Sequence, residues 1–229
     1  MKRITAQWQF KELYEAIPRG YVFEEKDGIG LYRLPALQQE RGVEHGFTAR
    51  TGGVSKEPYA SLNLSFTNDS RSDVLENYRR FARAAGFPAD SMVMDTYEHG
   101  VKVFIVDQED RGKGYTLPSL PSCDGLVTKE KGLTLITGHA DCMAFYFYDR
   151  AKGIVGLCHA GWRGALNRIG LEVLSHMHAL GSDSRDILAG VGPSICPSCF
   201  EVGADVAKLF ADSFPVCPLI GRNEKGNPT

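Results

Sequence analysis

Between Asp124 and His159 four short apolar runs follow one another: Gly125–Thr128, Leu133–Thr137, Ala144–Tyr148 and Ile154–Cys158. The turns KEKG and DRAKG separate two of these steps. Runs of this length bounded by turn residues are strands, and strands joined by such short links pair antiparallel, so the segment predicts a meander. Helical spacing takes over after Trp162-Arg163-Gly164, where Leu166, Ile169, Val173, Met177 and Leu180 outline one long helix stopped by Gly181.

The flanking segments add to this frame. Tyr21–Phe23 and Gly30–Leu34 are joined through Asp27-Gly28, a hairpin signal, and Val43 to Arg50 reads as a strand running into Thr51-Gly52-Gly53. From Ser72, the positions Leu75, Tyr78, Ala82 and Ala85 form one helical face that ends at Gly86 and Pro88. Met92–Met94, Val101–Val106 and Ile187–Val191 are further strands, Gln108–Tyr115 is a polar surface loop, and Ala204–Phe210 is a last helix. The expected fold is α/β or α+β: a single domain over residues 1–229, with a mixed sheet, a central antiparallel meander and helices packed on its faces.

A chain of 229 residues buries roughly 70–75 % of its unfolded surface, so one core suffices without covalent staples. A formal net charge of −2 supplies no basic footprint for nucleic acid, and no run reaches the length of a membrane span. The opening MKRITAQWQFKELYEAIPRG lacks an apolar core and a cleavage site, which is the expectation for a cytoplasmic protein. In a reducing compartment the six cysteines read as free thiols or metal ligands in preference to disulfides.

Cys142 and His159 stand at the ends of two neighbouring apolar runs, in GHADCM and CHAGWRG, and His99 stands alone upstream in YEHG. Two imidazoles and a thiolate form a borderline-soft set that suits zinc, and three protein ligands leave a fourth tetrahedral position open to water or substrate. Taken singly, each has an ordinary alternative, since buried histidines and cysteines are common packing residues. His139 is a rival ligand three residues before Cys142, whereas His176 and His178 lie at the outer end of a helix.

The segments HGFTARTGGVS (45–55), YASLNLS (59–65), EHG (98–100), DGLVT (124–128), ADC (140–142), HAGWRG (159–164) and GPSICPSCFEVG (192–203) together resemble the laccase-domain family. Its members are now regarded as purine nucleoside phosphorylases and were once called multicopper polyphenol oxidases. The resemblance implies zinc on His99, Cys142 and His159. It also implies phosphorolysis of adenosine, inosine, guanosine and methylthioadenosine, and deamination of adenosine. Purine nucleosides and phosphate are the implied small-molecule partners, with a homo-oligomer as a further expectation. Family members continue for some tens of residues beyond this end, so the domain is expected to lack its C-terminal part. Tyr97 replaces the usual glutamine, His139 the usual threonine or tyrosine, and Ala144 a frequent proline.

A multicopper oxidase needs far more imidazoles than six histidines supply. A single blue copper, with Met143 beside Cys142 as axial ligand, is the weaker metal alternative. Asp141 is the first candidate for proton transfer and Glu98 the second; a turn cap and a solvated side chain are the ordinary readings. Arg50, beside the Gly52-Gly53 backbone, and Arg163, at a helix start, are candidates for holding an anion, with structural ion pairs as the alternative. Asn63 is a candidate for reading ribose or base, or else it forms an Asx turn. Cys196 and Cys199 form a CxxC pair that admits a thiol–disulfide oxidoreductase reading, and a non-catalytic zinc protein is the third possibility.

Overall fold

The structure, a computed structural model, describes residues 20–215, 221–222 and 225–229. The described residues divide into two compact units, Tyr21–Ser194 and a second that holds Gly20 and those from Ile195 onward. The N-terminal stretch read above for targeting signals lies, save Gly20, outside the described residues.

The first unit opens with the hairpin β1 (Val22–Lys26) and β2 (Ile29–Arg33), closed at Lys26↔Ile29. Asp27 (φ 54°) and Gly28 (φ 78°) both sit in the left-handed region, the backbone of a two-residue hairpin turn. A single helical turn, α1 (Pro35–Gln38), follows. The strand expected over Val43–Arg50 shrinks to β3 (Phe47–Thr48), which pairs with β2. Side chains take up the backbone groups where the β2–β3 ladder would continue: His45 Nε2 accepts from Leu34 N at 2.7 Å, and the Arg33 guanidinium donates to the His45 carbonyl. Helix α2 (Arg71–Ala85) ends at Gly86 (φ 90°) and buries Val74, Tyr78, Phe81 and Ala84.

Strands β4 (Met92–Met94), β5 (Val103–Ile105), β6 (Gly125–Thr128), β7 (Thr134–Ile136), β8 (Met143–Asp149) and β9 (Val155–Ala160) come next. They are followed by α3 (Trp162–Leu166), α4 (Ile169–Ala179) and β10 (Ile187–Val191). The main sheet has the order β10-β8-β9-β6-β5, antiparallel throughout except for the parallel β6–β5 pair. The mixed α/β fold expected is the one observed.

Two details differ from the expectation. The four-strand meander is interrupted, because β7 leaves the main sheet and pairs in parallel with β4. Both edges of β6 are already taken by β9 and β5, so β7 finds its ladder elsewhere. The long helix after Gly164 is broken into α3 and α4 at Asn167 and Arg168, where Arg168 has φ 63°. Asn167 donates both its backbone N–H (3.0 Å) and its Nδ2 (2.9 Å) to the Arg163 carbonyl, closing α3 locally.

Alternation along the strands sorts the two faces of the sheet. Val127, Phe147, Cys158 and Ala160 pack against Ile169, Val173 and Met177 of α4. Leu126 faces the other way, into a cluster with Val93, Cys123 and Leu133, so strands β4 and β7 cover that side in place of a helix. In the second unit, α5 (Ala204–Ser213) follows the CPSC segment, and Arg222 forms an isolated bridge with Pro228.

Candidate metal centre

His159 lies on β9 directly across from Ala144 of β8. It points to the face opposite α4, whereas its neighbour Cys158 faces the helix, where burial pushes its thiol up to about 12. Cys142 is two residues before Ala144 and therefore shares the face of His159. His99 arrives from the loop after β4, with φ 62°. One ligand atom from each of His99, Cys142 and His159 lies within 4.8 Å of the other two, and among the described residues this is the one such cluster of three.

Asp124, wholly buried, organises the cluster. Its carboxylate accepts N–H bonds from Glu98 (3.1 Å), His99 (2.9 Å) and Gly100 (2.8 Å), which hold the His99 loop in place. Its Oδ1 also lies 3.0 Å from His159 Nδ1, and its carbonyl accepts from His159 N at 2.7 Å. With Nδ1 committed to Asp124, His159 has Nε2 left for a metal. Burial alone would raise the Asp124 carboxyl, but the bonds from His159, Gly100 and Glu98 bring it below the ordinary value. The sequence reading missed this residue; the signal was an aspartate directly ahead of Gly125–Thr128, a strand buried along its whole length.

Electrostatics favour a cation here. Burial outweighs the Asp124 bond and lowers His159, which favours the neutral ring that can ligate. Burial, then the carboxylates of Asp141 and Asp124, push the Cys142 thiol upward, so a divalent ion is what would favour the thiolate. Gly161 leaves the space: a Cβ there would lie 2.8 Å from His99 Cδ2 and 3.4 Å from Cys142 Sγ. The donor set, its orienting carboxylate and this cleared volume fit a metal ion with three protein ligands.

The neighbouring residues vary in their relation to the cluster. His139 lies outside the triad, with its ring 5.3 Å from that of His159 and its Nε2 2.7 Å from Thr137 Oγ1; burial lowers it to about 4. Met143 is turned to the α4 side of the sheet, away from an axial copper position. Asp141 is exposed beside Cys142, and exposed Glu98 contributes its backbone N–H to Asp124.

Arg50 is exposed and donates to the Ala60 carbonyl at 3.2 Å. The adjacent N–H groups of Gly53 and Val54 are taken by Ser61 Oγ and Asn77 Oδ1. Asn63 forms an Asx turn with Ser65 and donates to Asp69 at 2.8 Å. The Arg163 guanidinium stacks 4.1 Å from the Trp162 ring centroid. Among the described residues no hydrogen bond or ring contact joins Arg50, Asn63 or Arg163 to the triad. In the second unit Cys196 and Cys199 are exposed free thiols, and Cys196 is lowered to about 7 by hydrogen bonds from Cys199 and Ser198.

Fold and side chains together define a mixed α/β protein carrying a His–Cys–His cluster exposed on the His99 side. The chain belongs to the family described as multi-copper polyphenol oxidoreductase laccase, which matches residues 44–228. It is 40 % identical over 183 residues to a purine nucleoside phosphorylase of Deinococcus radiodurans, covering 80 % of this chain and 67 % of that protein. It is 38 % identical over 169 residues to the purine nucleoside phosphorylase YlmD of Bacillus subtilis, covering 72 % of this chain but 61 % of that protein. The adenosine deaminase RL5, from an unknown prokaryotic organism, is 32 % identical over 199 residues, covering 85 % of this chain and 76 % of RL5. The crystal structure of YlmD from Geobacillus stearothermophilus superposes with a TM-score of 0.82 at 34 % identity, covering 91 % of this chain and 79 % of that one.

Proposed function

We propose that this chain is a cytoplasmic, zinc-dependent purine nucleoside phosphorylase that also deaminates adenosine. The observation that carries the reading is the convergence of His99, Cys142 and His159, with ligand atoms within 4.8 Å and a buried carboxylate orienting two of the three residues. The names of the relatives support the phosphorylase and deaminase chemistry. Zinc is favoured over copper because the donors are borderline and Met143 faces away from them. When bound, zinc would supply Lewis acidity beside the substrate.

The chain's own groups have these roles in the proposal. His99, Cys142 and His159 hold the ion, Asp124 fixes the His159 tautomer, and exposed Asp141 beside Cys142 carries protons to or from the purine. Phosphorolysis breaks the ribose–purine bond and joins phosphate oxygen to the ribose carbon, so it needs cations that hold an anion. Arg50 and Arg163 fill that role, each an exposed guanidinium with donors to spare, and Asn63 contacts the ribose or base.

The test is to incubate the zinc-loaded protein with inosine and with adenosine, with and without phosphate. The expected products are free base plus ribose 1-phosphate only when phosphate is present, and inosine from adenosine in either case. Absence of both products from a protein of verified zinc content would sink the reading.

A further inference from the structure

Tyr97 is 47 % exposed, an unusual setting for a large ring that also packs on a buried histidine. Its ring centroid lies 4.5 Å from that of His159 at an interplanar angle of 36°, and 5.4 Å from that of His99 at 82°. Gly138 flanks it closely: a Cβ there would sit 3.2 Å from Tyr97 Cε1. The ring is thus tilted over His159, with the His99 ring nearly perpendicular to it and Gly138 beside its Cε1, while close to half of the residue stays exposed. Both histidines that Tyr97 contacts belong to the ligand cluster, and His99 is itself exposed.

We propose that Tyr97 is the stacking platform for the purine base, a specificity-determining residue that selects nucleosides by their aromatic ring system. This inference rests on the purine nucleoside reading above. A flat ring backed by a buried imidazole is held in one orientation, so an incoming base finds a preformed partner at little ordering cost. Stacking of a base on an aromatic side chain is tolerant of base identity, because every base has a π-face. The platform therefore favours adenine, hypoxanthine and guanine alike over a sugar phosphate without a base. The Tyr97 hydroxyl is not needed for this; the ring is.

The test uses the zinc-loaded protein with Tyr97→Ala and Tyr97→Phe, measuring zinc stoichiometry, steady-state constants for inosine, and calorimetric affinity for adenosine and for ribose 1-phosphate. The expected result is a rise of roughly tenfold in KM for inosine and in Kd for adenosine in Y97A, in line with the loss of one stacking partner. The change in kcat is much smaller, ribose 1-phosphate affinity and zinc content are kept, and Y97F restores nucleoside affinity. Unchanged nucleoside affinity in Y97A overturns the proposal. So does an equal loss of nucleoside and ribose 1-phosphate affinity, or a loss of zinc, since either marks Tyr97 as a prop for the metal ligands. Wild-type protein that binds adenosine without turnover refutes the phosphorylase reading and leaves the stacking role to be decided by the Kd ratio. Wild-type protein that neither binds nor converts nucleosides refutes both.

Discussion

Asp124 Oδ1 lies 3.0 Å from Nδ1 of His159, and the same oxygen accepts the backbone N–H of His99 at 2.9 Å. One carboxylate oxygen therefore sets the position of two candidate metal ligands that are 60 residues apart in the chain. Replacing Asp124 by Asn puts an N–H₂ among donors that all need an acceptor. Orienting partners of this kind are worth about 10–100-fold in metal affinity. D124N is expected to weaken zinc binding by that range, read by competition against a chromophoric chelator; an unchanged affinity would contradict the orienting role.

Gly161 tests the space at the centre in a different way. A Cβ at this position meets the His99 ring at 2.8 Å, and that ring is an exposed side chain able to move aside. Gly161→Ala is therefore expected to leave thermal stability within about 1 kcal/mol of wild type while lowering zinc affinity tenfold or more. A variant that binds zinc as wild type does would show that the alanine methyl does not disturb the ligand cluster.

Asp95 gives a pH-dependent outcome. It directly follows β4, is 9 % exposed, and ties the His99 loop to the Cys142 loop: its N–H donates to the Ile136 carbonyl and its Oδ1 accepts from Gly138 N at 3.3 Å. Its Oδ2 is buried without a partner, and burial, with a smaller push from Asp124, raises the carboxyl to about 8. Between pH ~4 and pH ~8 the folded chain keeps a proton that the unfolded chain releases, so this group makes stability fall as pH rises through that window. Asp95→Asn removes the slope. The melting-temperature advantage of D95N over wild type is expected to grow from pH 4 to pH 8 and then level off; a constant difference would refute the assignment.

Asn77, on α2 and fully buried, pins the loop that carries Asn63. Its Oδ1 accepts from Val54 N at 2.8 Å, and its Nδ2 donates to Ser55 Oγ at 2.8 Å and to the Asn63 carbonyl at 2.7 Å. Stranding buried polar partners costs about 1–3 kcal/mol per group. Asn77→Ala is expected to destabilise the fold by about 3 kcal/mol, measured by chemical denaturation, and to raise KM for phosphate if Arg50 holds the anion. A loss below about 0.5 kcal/mol would show the loop to be held by other bonds.

Local chemistry was legible along the chain: the Asp27-Gly28 turn, the α2 face ending at Gly86, the positions of β6 through β10, and the three side chains suited to a metal. These depend on period, cap and side-chain type, which neighbouring residues decide. What pairs with what does not depend on neighbours. An apolar run identifies β7 as a strand, but its partner β4 is 42 residues earlier, and β6, next before it in the chain, has both edges filled by β9 and β5. The role of Asp124 is of the same kind, since a carboxylate becomes an orienting group only when folding strips it of water and surrounds it with donors. The loop carrying Asn63 and Gly52-Gly53 is likewise a tertiary product, since Asn77 and Arg80 of α2 bond the Asn63 and Gly52 carbonyls. By itself the sequence determined most of the elements and which side chains can ligate, but not the break between α3 and α4 or the shortness of β3. Tertiary structure alone decided that residues 99, 142 and 159 meet, because strand order and burial are properties of contacts distant along the chain.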